Sequence, residues 1–199
     1  ESNELCPAIK FVVSQGIFLG DSGRNTLRIG ENLSRAETAA VLKRAFGYTL
    51  ANYNSGNDGN LGFRDLVTSE WYMPYIKTFL SKDVLRGYPD KTMKPNRIIS
   101  RSELYRVFVL GAQNGPQVAT DFTIKSIVLN QPFVDTPLFN KSKWYLPYAD
   151  FAKANSLTPS YTYFHPAEGI SRGEVIRLIY DSHIKGLVEY NLSAVAKSV

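Results

Sequence analysis

Three short stretches share one pattern and decide the fold: Ser34-Arg35-Ala36-Glu37, Ser100-Arg101-Ser102-Glu103 and Ser171-Arg172-Gly173-Glu174. Each stretch is followed by apolar residues at helical spacing, as in residues 41–46 after the first. A serine followed three residues later by a glutamate is a capping box, in which each side chain accepts a hydrogen bond from the other residue's backbone N–H. We therefore predict that each stretch opens a helix and that its glutamate is a capping residue, not a catalytic acid.

Two further motifs precede the second and third stretches in the same order. The chain reads Phe63-x-Asp65 and then Trp71-Tyr-Met-Pro-Tyr75 before the second, and Phe133-x-Asp135 and then Trp144-Tyr-Leu-Pro-Tyr148 before the third. Because two independent motifs recur in one order, the chain is interpreted as a set of internal repeats.

Each repeat is predicted to contain a first helix after the tryptophan, running from Tyr72 to about Lys82 in the second copy. The proline of each motif fits the opening turn, where its missing N–H costs little. In the first copy Pro7 aligns with these prolines, but Glu4 stands in place of the tryptophan and no Phe-x-Asp motif precedes it.

These motifs divide the chain into three units and their connections. We place the first repeat at 1–50, a flexible Asn- and Gly-rich linker at 51–62, the second repeat at 63–111, a connector at 112–132, the third repeat at 133–181 and a C-terminal helix or cap at 182–199. The connector contains the stretch 122–129, which fits a short strand or an extra helix. In the second repeat, the loop Arg86-Gly-Tyr-Pro-Asp-Lys-Thr-Met-Lys-Pro95 is too rich in Gly and Pro for regular structure.

The composition limits the class of protein and its partners. Of the 199 residues, 44% are hydrophobic and 21% are charged, which is typical of a globular chain. The net charge of +5 is spread along the chain, which favours anionic partners in general over a nucleic-acid arm. The single cysteine excludes an internal disulfide. No apolar run is long enough to span a membrane.

The ordered motifs resemble the S-layer homology (SLH) family, whose units read Phe-x-Asp, Trp-Ala-x-x-Ala-Ile, Gly-Tyr-x-Asp-Gly-x-Phe-x-Pro and Thr-Arg-Ala-Glu. The second copy matches nearly every landmark, including Gly87 and Tyr88. The third copy lacks the Gly-Tyr motif, and the first retains Gly20 and little else before its Ser-Arg-Ala-Glu. Serine replaces the family's usual threonine, which preserves the cap.

The resemblance implies a mainly α fold of three SLH units in a pseudo-threefold, three-pronged helical assembly with a central helix bundle and long loops. It implies grooves that bind a secondary cell-wall polysaccharide, often pyruvylated, or peptidoglycan itself. The expected protein is a secreted cell-surface or cell-wall anchor of an S-layer or envelope protein, possessing no enzymatic activity and binding other surface-layer domains. The first alternative is a protein-interaction scaffold of the envelope that has lost sugar binding, and a weaker one is a glycan-processing enzyme with the same fold.

The residues themselves point to a carbohydrate site with anionic character. Arg35, Arg101 and Arg172 lie at the first positions of helices, where the macrodipole disfavours a cation and free N–H groups favour an anion. A guanidinium beside such N–H groups is a suitable receptor for a carboxylate. The expected carbohydrate-binding residues are these three arginines with Trp71, Trp144, Asp65, Asp135, Gly87 and Tyr88. One or two working grooves are expected, centred on Arg101 and Arg172, and Arg35 is the arginine most expected to be structural only.

Structural roles for the same residues remain open at this level. The arginines can pair with a carboxylate of the neighbouring repeat, such as Asp65 or Asp135, and the tryptophans can pack in the core instead of holding a sugar. Phe63-x-Asp65 can simply be a hydrophobic staple before a turn. His165 and His183 are isolated from each other, so we expect no metal site and no cofactor. No arrangement typical of a nucleophile or of paired catalytic carboxylates is present.

Overall fold

The computed structural model describes residues 2–20, 26–115, 133–136, 143–160 and 162–190. The predicted mainly α fold is confirmed: within these residues the regular secondary structure is helical, with isolated β-bridges and no strand. The helices are α1 (Ser2–Ser14), α2 (Arg35–Ala45), α3 (Ser55–Asp58), α4 (Met73–Ser81), α5 (Arg101–Asn114), α6 (Leu146–Ala154) and α7 (Arg172–Ile184).

The three predicted capping boxes are all present. Ser34, Ser100 and Ser171 are the N-caps of α2, α5 and α7, and each hydroxyl accepts a hydrogen bond from the N–H of the glutamate three residues on. Each glutamate in turn accepts from the N–H of its serine, at 2.8, 3.0 and 2.9 Å. The local Ser-x-x-Glu pattern is therefore sufficient to start each of these helices.

The first helices of the repeats differ at their N-termini. Pro74 and Pro147 lie in the opening turns of α4 and α6, as predicted. The same prediction is wrong for Pro7, which lies inside α1 because that helix begins five residues earlier, at Ser2. A proline in a helix interior removes one backbone hydrogen bond, so α1 contains a defect that α4 and α6 avoid.

Helix packing links the three predicted repeats in a cycle. The first helix of the second repeat, α4, packs on α2 of the first repeat, and α6 of the third repeat packs on α5 of the second. The cycle closes because α1 packs on α7. Each helical pair therefore combines two different repeats, and no repeat buries its own apolar faces without its neighbours.

The segments that enter α2, α5 and α7 form a second closed cycle through the backbone. Isolated bridges join Ser34 to Ile98, Ser100 to Gly169 and Ser171 to Asn32. A Cβ atom on Gly169 would lie 2.8 Å from the Ile98 Cγ2 atom and 2.9 Å from the Asn32 Nδ2 atom. These three residues therefore meet closely, and glycine is required at this point.

The linker at 51–62 is more ordered than the sequence indicates. It contains α3, which Asn54 caps at its N-terminus. The Lys77 Nζ atom of α4 lies 2.7 Å from the Asp58 carboxylate and donates to the Asn52 carbonyl oxygen. This ion pair joins the linker to α4, a contact that the sequence did not predict.

Two expected elements fall largely outside the described residues. Residues 116–132, which include the stretch 122–129, and residues 191–199 are not among them. Before the second of these ranges, α7 ends at Ile184, Gly186 has a φ of 65°, and Val188 and Tyr190 are buried.

Candidate functional site: three junctions between repeats

The three arginines of the Ser-Arg-x-Glu motifs are buried. Arg35 is 3% exposed, and Arg101 and Arg172 are each 7% exposed. Each side chain leaves the first position of its helix and reaches the repeat that follows in the cycle. We call the contacts of Arg35 with the second repeat the first junction, those of Arg101 with the third repeat the second junction, and those of Arg172 with the first repeat the third junction.

Each arginine pairs with the capping glutamate of the next repeat. The N–O distances are 3.2 Å for Arg35–Glu103, 2.6 Å for Arg101–Glu174 and 3.4 Å for Arg172–Glu37. The pairing with a neighbouring carboxylate that the sequence left open is thus observed, but with the capping glutamates in place of Asp65 and Asp135. These glutamates both cap a helix and join two repeats.

Asp65 and Asp135 hold the loops that face the arginines. Asp65 accepts hydrogen bonds from the N–H groups of Met93 and Lys94, both at 2.7 Å. Asp135 accepts in the same way from Phe164 and His165, at 2.8 and 2.6 Å. The Phe-x-Asp motif therefore fixes loop geometry through charge-assisted hydrogen bonds.

The loops held in this way present backbone carbonyl groups to the buried guanidinium groups. Arg35 Nε donates to the Met93 oxygen at 2.9 Å, and Arg101 Nη1 donates to the Phe164 oxygen at 3.1 Å. At the third junction Arg172 Nε donates to the Leu27 oxygen at 2.7 Å. The three junctions thus share one backbone frame.

The first junction is distinguished by a cluster of cations around Tyr88. The Tyr88 ring centroid lies 4.5 Å from Lys94 Nζ and 4.9 and 5.4 Å from the central guanidinium carbons of Arg35 and Arg97. Glu103 is the carboxylate that balances this charge. Arg35 and Arg97 share Glu103, whereas Lys94 forms no ion pair among the described residues and interacts only at longer range with Asp90, whose pKa is lowered by hydrogen bonding to Thr92 and by this nearby charge.

Burial and the hydrogen bonds around Glu103 shift the pKa values of three residues at the first junction. Burial acts to raise the pKa of Glu103, but hydrogen bonds from Tyr88 and the Ser100 N–H, with Arg35 and Arg97 nearby, place it below its usual value. The Tyr88 hydroxyl donates to Glu103 at 2.6 Å, and burial together with this bond raises the pKa of Tyr88. Burial lowers the pKa of Arg35. Glu103 is therefore held as a carboxylate, with Tyr88 as its donor.

Gly87 places Tyr88 in this cluster by allowing a close approach to an aromatic ring. A Cβ atom on Gly87 would lie 2.0 Å from the Phe63 Cε1 atom and 2.8 and 2.9 Å from two other carbons of the ring. Since no side chain fits there, Phe63 and the Gly-Tyr loop depend on each other. This contact gives the Phe-x-Asp motif a second structural role at this junction.

The second junction has the same frame and a different charge. Glu168 occupies the position corresponding to Arg97, three residues before the capping serine, and its carboxylate lies 3.7 Å from Arg101 and 3.1 Å from His165 Nδ1. The buried Nε atom of Arg101 has no hydrogen-bond partner among the described residues. At the third junction the same position is Glu31, which pairs with Arg28 at 2.6 Å. Only the first junction therefore has a cation at this position.

Both tryptophans lie on the surface instead of in the core. Trp71 is 53% exposed and Trp144 is 52% exposed. Trp71 contacts Tyr72 and Tyr75 edge to face at centroid distances of 5.8 and 5.9 Å, and Trp144 contacts Tyr145 in the same way at 5.8 Å. Two equivalent indole faces are thus available to solvent at the starts of α4 and α6.

The described residues contain no group of three or more His, Cys, Asp or Glu side chains placed to hold a metal ion. Among the same residues, no helix has both the length and the apolar character needed to cross a lipid bilayer.

Most residues of the first junction lie in a stretch that matches a known domain family. Residues 62–104 match the S-layer homology domain. This SLH match contains Asp65, Gly87, Tyr88, Arg97 and Glu103, which are the residues that set the loop and the charge of that junction.

Relatives of this chain include surface proteins of two bacterial genera. It is 31% identical over 109 residues to the cellulosome-anchoring protein of Acetivibrio thermocellus and 34% identical over 114 residues to cell surface glycoprotein 1 of the same organism, each covering 55% of this chain. It is 19% identical over 175 residues, 86% of this chain, to the middle cell wall protein of Brevibacillus brevis. The matches span 24%, 5% and 14% of these relatives.

Sequence reasoning missed Arg97 and Lys94 as members of the site. A signal for Arg97 was present, because the residue three positions before each capping serine is Glu31, Arg97 or Glu168. The basic residue in this alignment falls in the copy that carries the SLH match and the Gly-Tyr loop. The charge at this position distinguishes the first junction from the other two, whereas the shared arginines do not.

Proposed function

We propose that the chain is an anchoring module that holds a surface protein non-covalently to the bacterial cell envelope. In this proposal the three repeats are SLH units arranged about a pseudo-threefold axis as a three-pronged assembly with a central bundle. The ligand is an anionic, pyruvylated secondary cell-wall polysaccharide or peptidoglycan, and the protein acts at the cell surface. The SLH match at 62–104 and the relatives named as anchoring and surface proteins support this function.

The observation that carries the proposal is the cation cluster at the first junction. A carboxylate on the ligand would meet Lys94, which has no ion-pair partner among the described residues, and Arg97, whose side chain is 41% exposed. Arg35 lies beneath Tyr88 and adds positive potential without being displaced from Glu103. We therefore centre the anionic subsite on Tyr88 and Gly87.

The other predicted site residues take supporting places in this proposal. The proposal departs from the expected working grooves at Arg101 and Arg172, because these arginines are buried and paired and hold the second and third junctions as Arg35 holds the first. Asp65 and Asp135 position the loops. Trp71 and Trp144, each half exposed, offer apolar faces on which sugar rings can stack.

The test is cosedimentation of the chain with purified cell-wall sacculi, before and after chemical removal of the secondary polymer. We expect Lys94→Gln and Arg97→Gln each to weaken binding about two- to tenfold, which corresponds to the loss of one charge-assisted contact. The matched control is Glu168→Gln, which changes the equivalent position of the third repeat and should bind at least as well as the unchanged chain.

The outcomes separate the alternatives. If the unchanged chain stays in the supernatant with intact sacculi, the anchoring proposal fails and the protein-interaction scaffold replaces it. If binding persists after polymer removal, peptidoglycan is the ligand. Equal loss of binding in Arg97→Gln and Glu168→Gln would show that the first junction is not the binding site. Trp71→Ala and Trp144→Ala test the sugar platforms at little risk to folding, since both indoles are exposed.

A further inference from the structure

A groove of about 620 Å³ lies where the first helix of the chain packs on the last. One face of α7 is its floor, and its walls are the start of α1 and the turn after α6. Its volume is in the range of sites that bind small ligands.

The groove differs from the sugar-binding surfaces proposed above because its described walls are aliphatic and polar. Glu4 takes the position that Trp71 and Trp144 occupy in the other repeats, three residues before the aligned proline. Among the described residues, none that lines the groove is aromatic. The apolar contacts that these residues offer a ligand come from aliphatic side chains such as Leu5, Pro159 and Leu178.

Most charges in the groove are already neutralised by neighbours. Arg177 pairs with Asp181 at 2.9 Å, and Glu174 pairs with Arg101 at 2.6 Å. The Glu4 carboxylate has no hydrogen bond or ion pair with any described residue. Lys185 donates to the carbonyl oxygens of Asn155 and Ser156, which leaves its positive charge without a carboxylate partner among the described residues.

These two unbalanced charges lie at opposite ends of the groove. Leu5, next to Glu4, approaches the first turn of α7, because a Cβ atom on Gly173 would lie 3.5 Å from the Leu5 Cδ2 atom. Lys185 is the C-cap of the same helix. At 1.5 Å per residue, the helix rises about 18 Å from Gly173 to Lys185. An extended peptide of about five residues spans this length at roughly 3.3 Å per residue.

We propose that this groove binds a short extended peptide with free ends, its ammonium group at Glu4 and its terminal carboxylate at Lys185. The two charged ends of such a peptide complement the two unbalanced charges, and its small apolar side chains meet the aliphatic wall. The site is separate from the first junction and does not depend on wall-polysaccharide binding.

The experiment is a two-dimensional ¹⁵N NMR titration of the full chain with penta-alanine, and with dialanine as a peptide too short to reach both ends. We expect penta-alanine to shift the amide signals of Leu178 and Asp181 but not that of Tyr88. Acetylation of the peptide N-terminus, or amidation of its C-terminus, should each raise the Kd about two- to fivefold, as expected for one exposed ion pair.

Matched variants show which residue binds each end of the peptide. In Glu4→Gln the free and acetylated peptides should bind equally, and in Lys185→Gln the free and amidated peptides should bind equally. Lys10→Gln and Glu70→Gln change exposed side chains outside the groove and should retain both preferences. The proposal is overturned if penta-alanine causes no shifts, if end-capping weakens binding equally in every variant, or if an N-acetylglucosamine oligomer shifts the same amides instead.

Discussion

The first and second junctions use one backbone frame for two different chemistries. In both, an arginine at a helix start donates to a loop carbonyl group and to the capping glutamate of the next repeat. At the first junction the surrounding residues are Tyr88, Lys94 and Arg97, whereas at the second they are His165 and Glu168. The frame is therefore structural, and the residues that vary around it determine what each junction can bind.

The largest expected effect on stability comes from disrupting the loop that carries the Gly87-Tyr88 motif, which the sequence has only in the second copy. Gly87→Ala places a methyl group 2.0 Å from the Phe63 ring, so the ring or the loop must move. Overpacking of this kind costs about 1–3 kcal/mol in the free energy of unfolding, which urea denaturation can measure.

The control for that change is Gly30→Ala, because a Cβ atom at Gly30 would meet nothing within 4 Å. It should leave stability nearly unchanged. Equal destabilisation by the two variants would show that Phe63 does not depend on the glycine. Binding to sacculi should fall in Gly87→Ala alone, since Tyr88 follows that glycine directly.

The next effect tests whether the two junctions share their frame. Ser100→Ala and Ser171→Ala each remove an N-cap, at a cost of about 1 kcal/mol in the free energy of unfolding. We expect similar values for the two, measured by thermal or urea unfolding. Ser100→Asp and Ser171→Asp retain a capping acceptor and should recover most of the loss. A difference well above 1 kcal/mol between the alanine variants would contradict a shared frame.

A smaller effect, on binding, is expected when the second junction is given the cation of the first. Glu168→Arg gives the second junction the cation that Arg97 supplies at the first. We expect binding to polymer-bearing sacculi to increase about two- to fivefold, as one added exposed contact allows. The affinity of Glu168→Gln for these sacculi should fall between that of the unchanged chain and that of Glu168→Arg. No gain with the arginine variant would mean that the Gly-Tyr loop, and not the charge alone, makes the site.

The smallest effect is a pH dependence that belongs to the first junction. The pKa of Glu103 lies below its ordinary value in the folded chain. Its contribution to stability is thus fully present above the ordinary glutamate pKa of about 4.3 and is lost as the pH falls through the lowered value. Urea unfolding between pH 6 and pH 3 should show a flatter stability curve for Glu103→Gln than for the exposed control Glu70→Gln. Parallel curves for the two variants would contradict this assignment.

Local signals in the sequence were sufficient to predict α2, α4, α5, α6 and α7, but not the short helix α3. The capping boxes at Ser34, Ser100 and Ser171 and the prolines of α4 and α6 depend on residues three or four positions apart, so they can be read directly. The exception was Pro7, because nothing local shows that α1 continues toward the N-terminus beyond its aligned counterparts.

The partners of the arginines could not be predicted in the same way. Arg35 and Glu103 are separated by 68 positions, and their contact depends on how whole repeats pack. The sequence indicated a neighbouring carboxylate correctly but named Asp65 or Asp135, whose oxygen atoms are occupied by backbone N–H groups. The tryptophans are large and apolar, which favours burial in general, yet both lie at helix starts on the surface.

The pairing of α1 with α7 has a mechanical consequence. Leu5 lies at the first turn of α7, and Phe11 contacts Tyr180 and His183 near its end, so the two helices run in the same direction. A pulling force between the start of α1 and the end of α7 therefore acts along their shared interface in shear. The side-chain contacts along that interface must then slide together instead of opening one at a time, so the closed cycle resists tension as a unit.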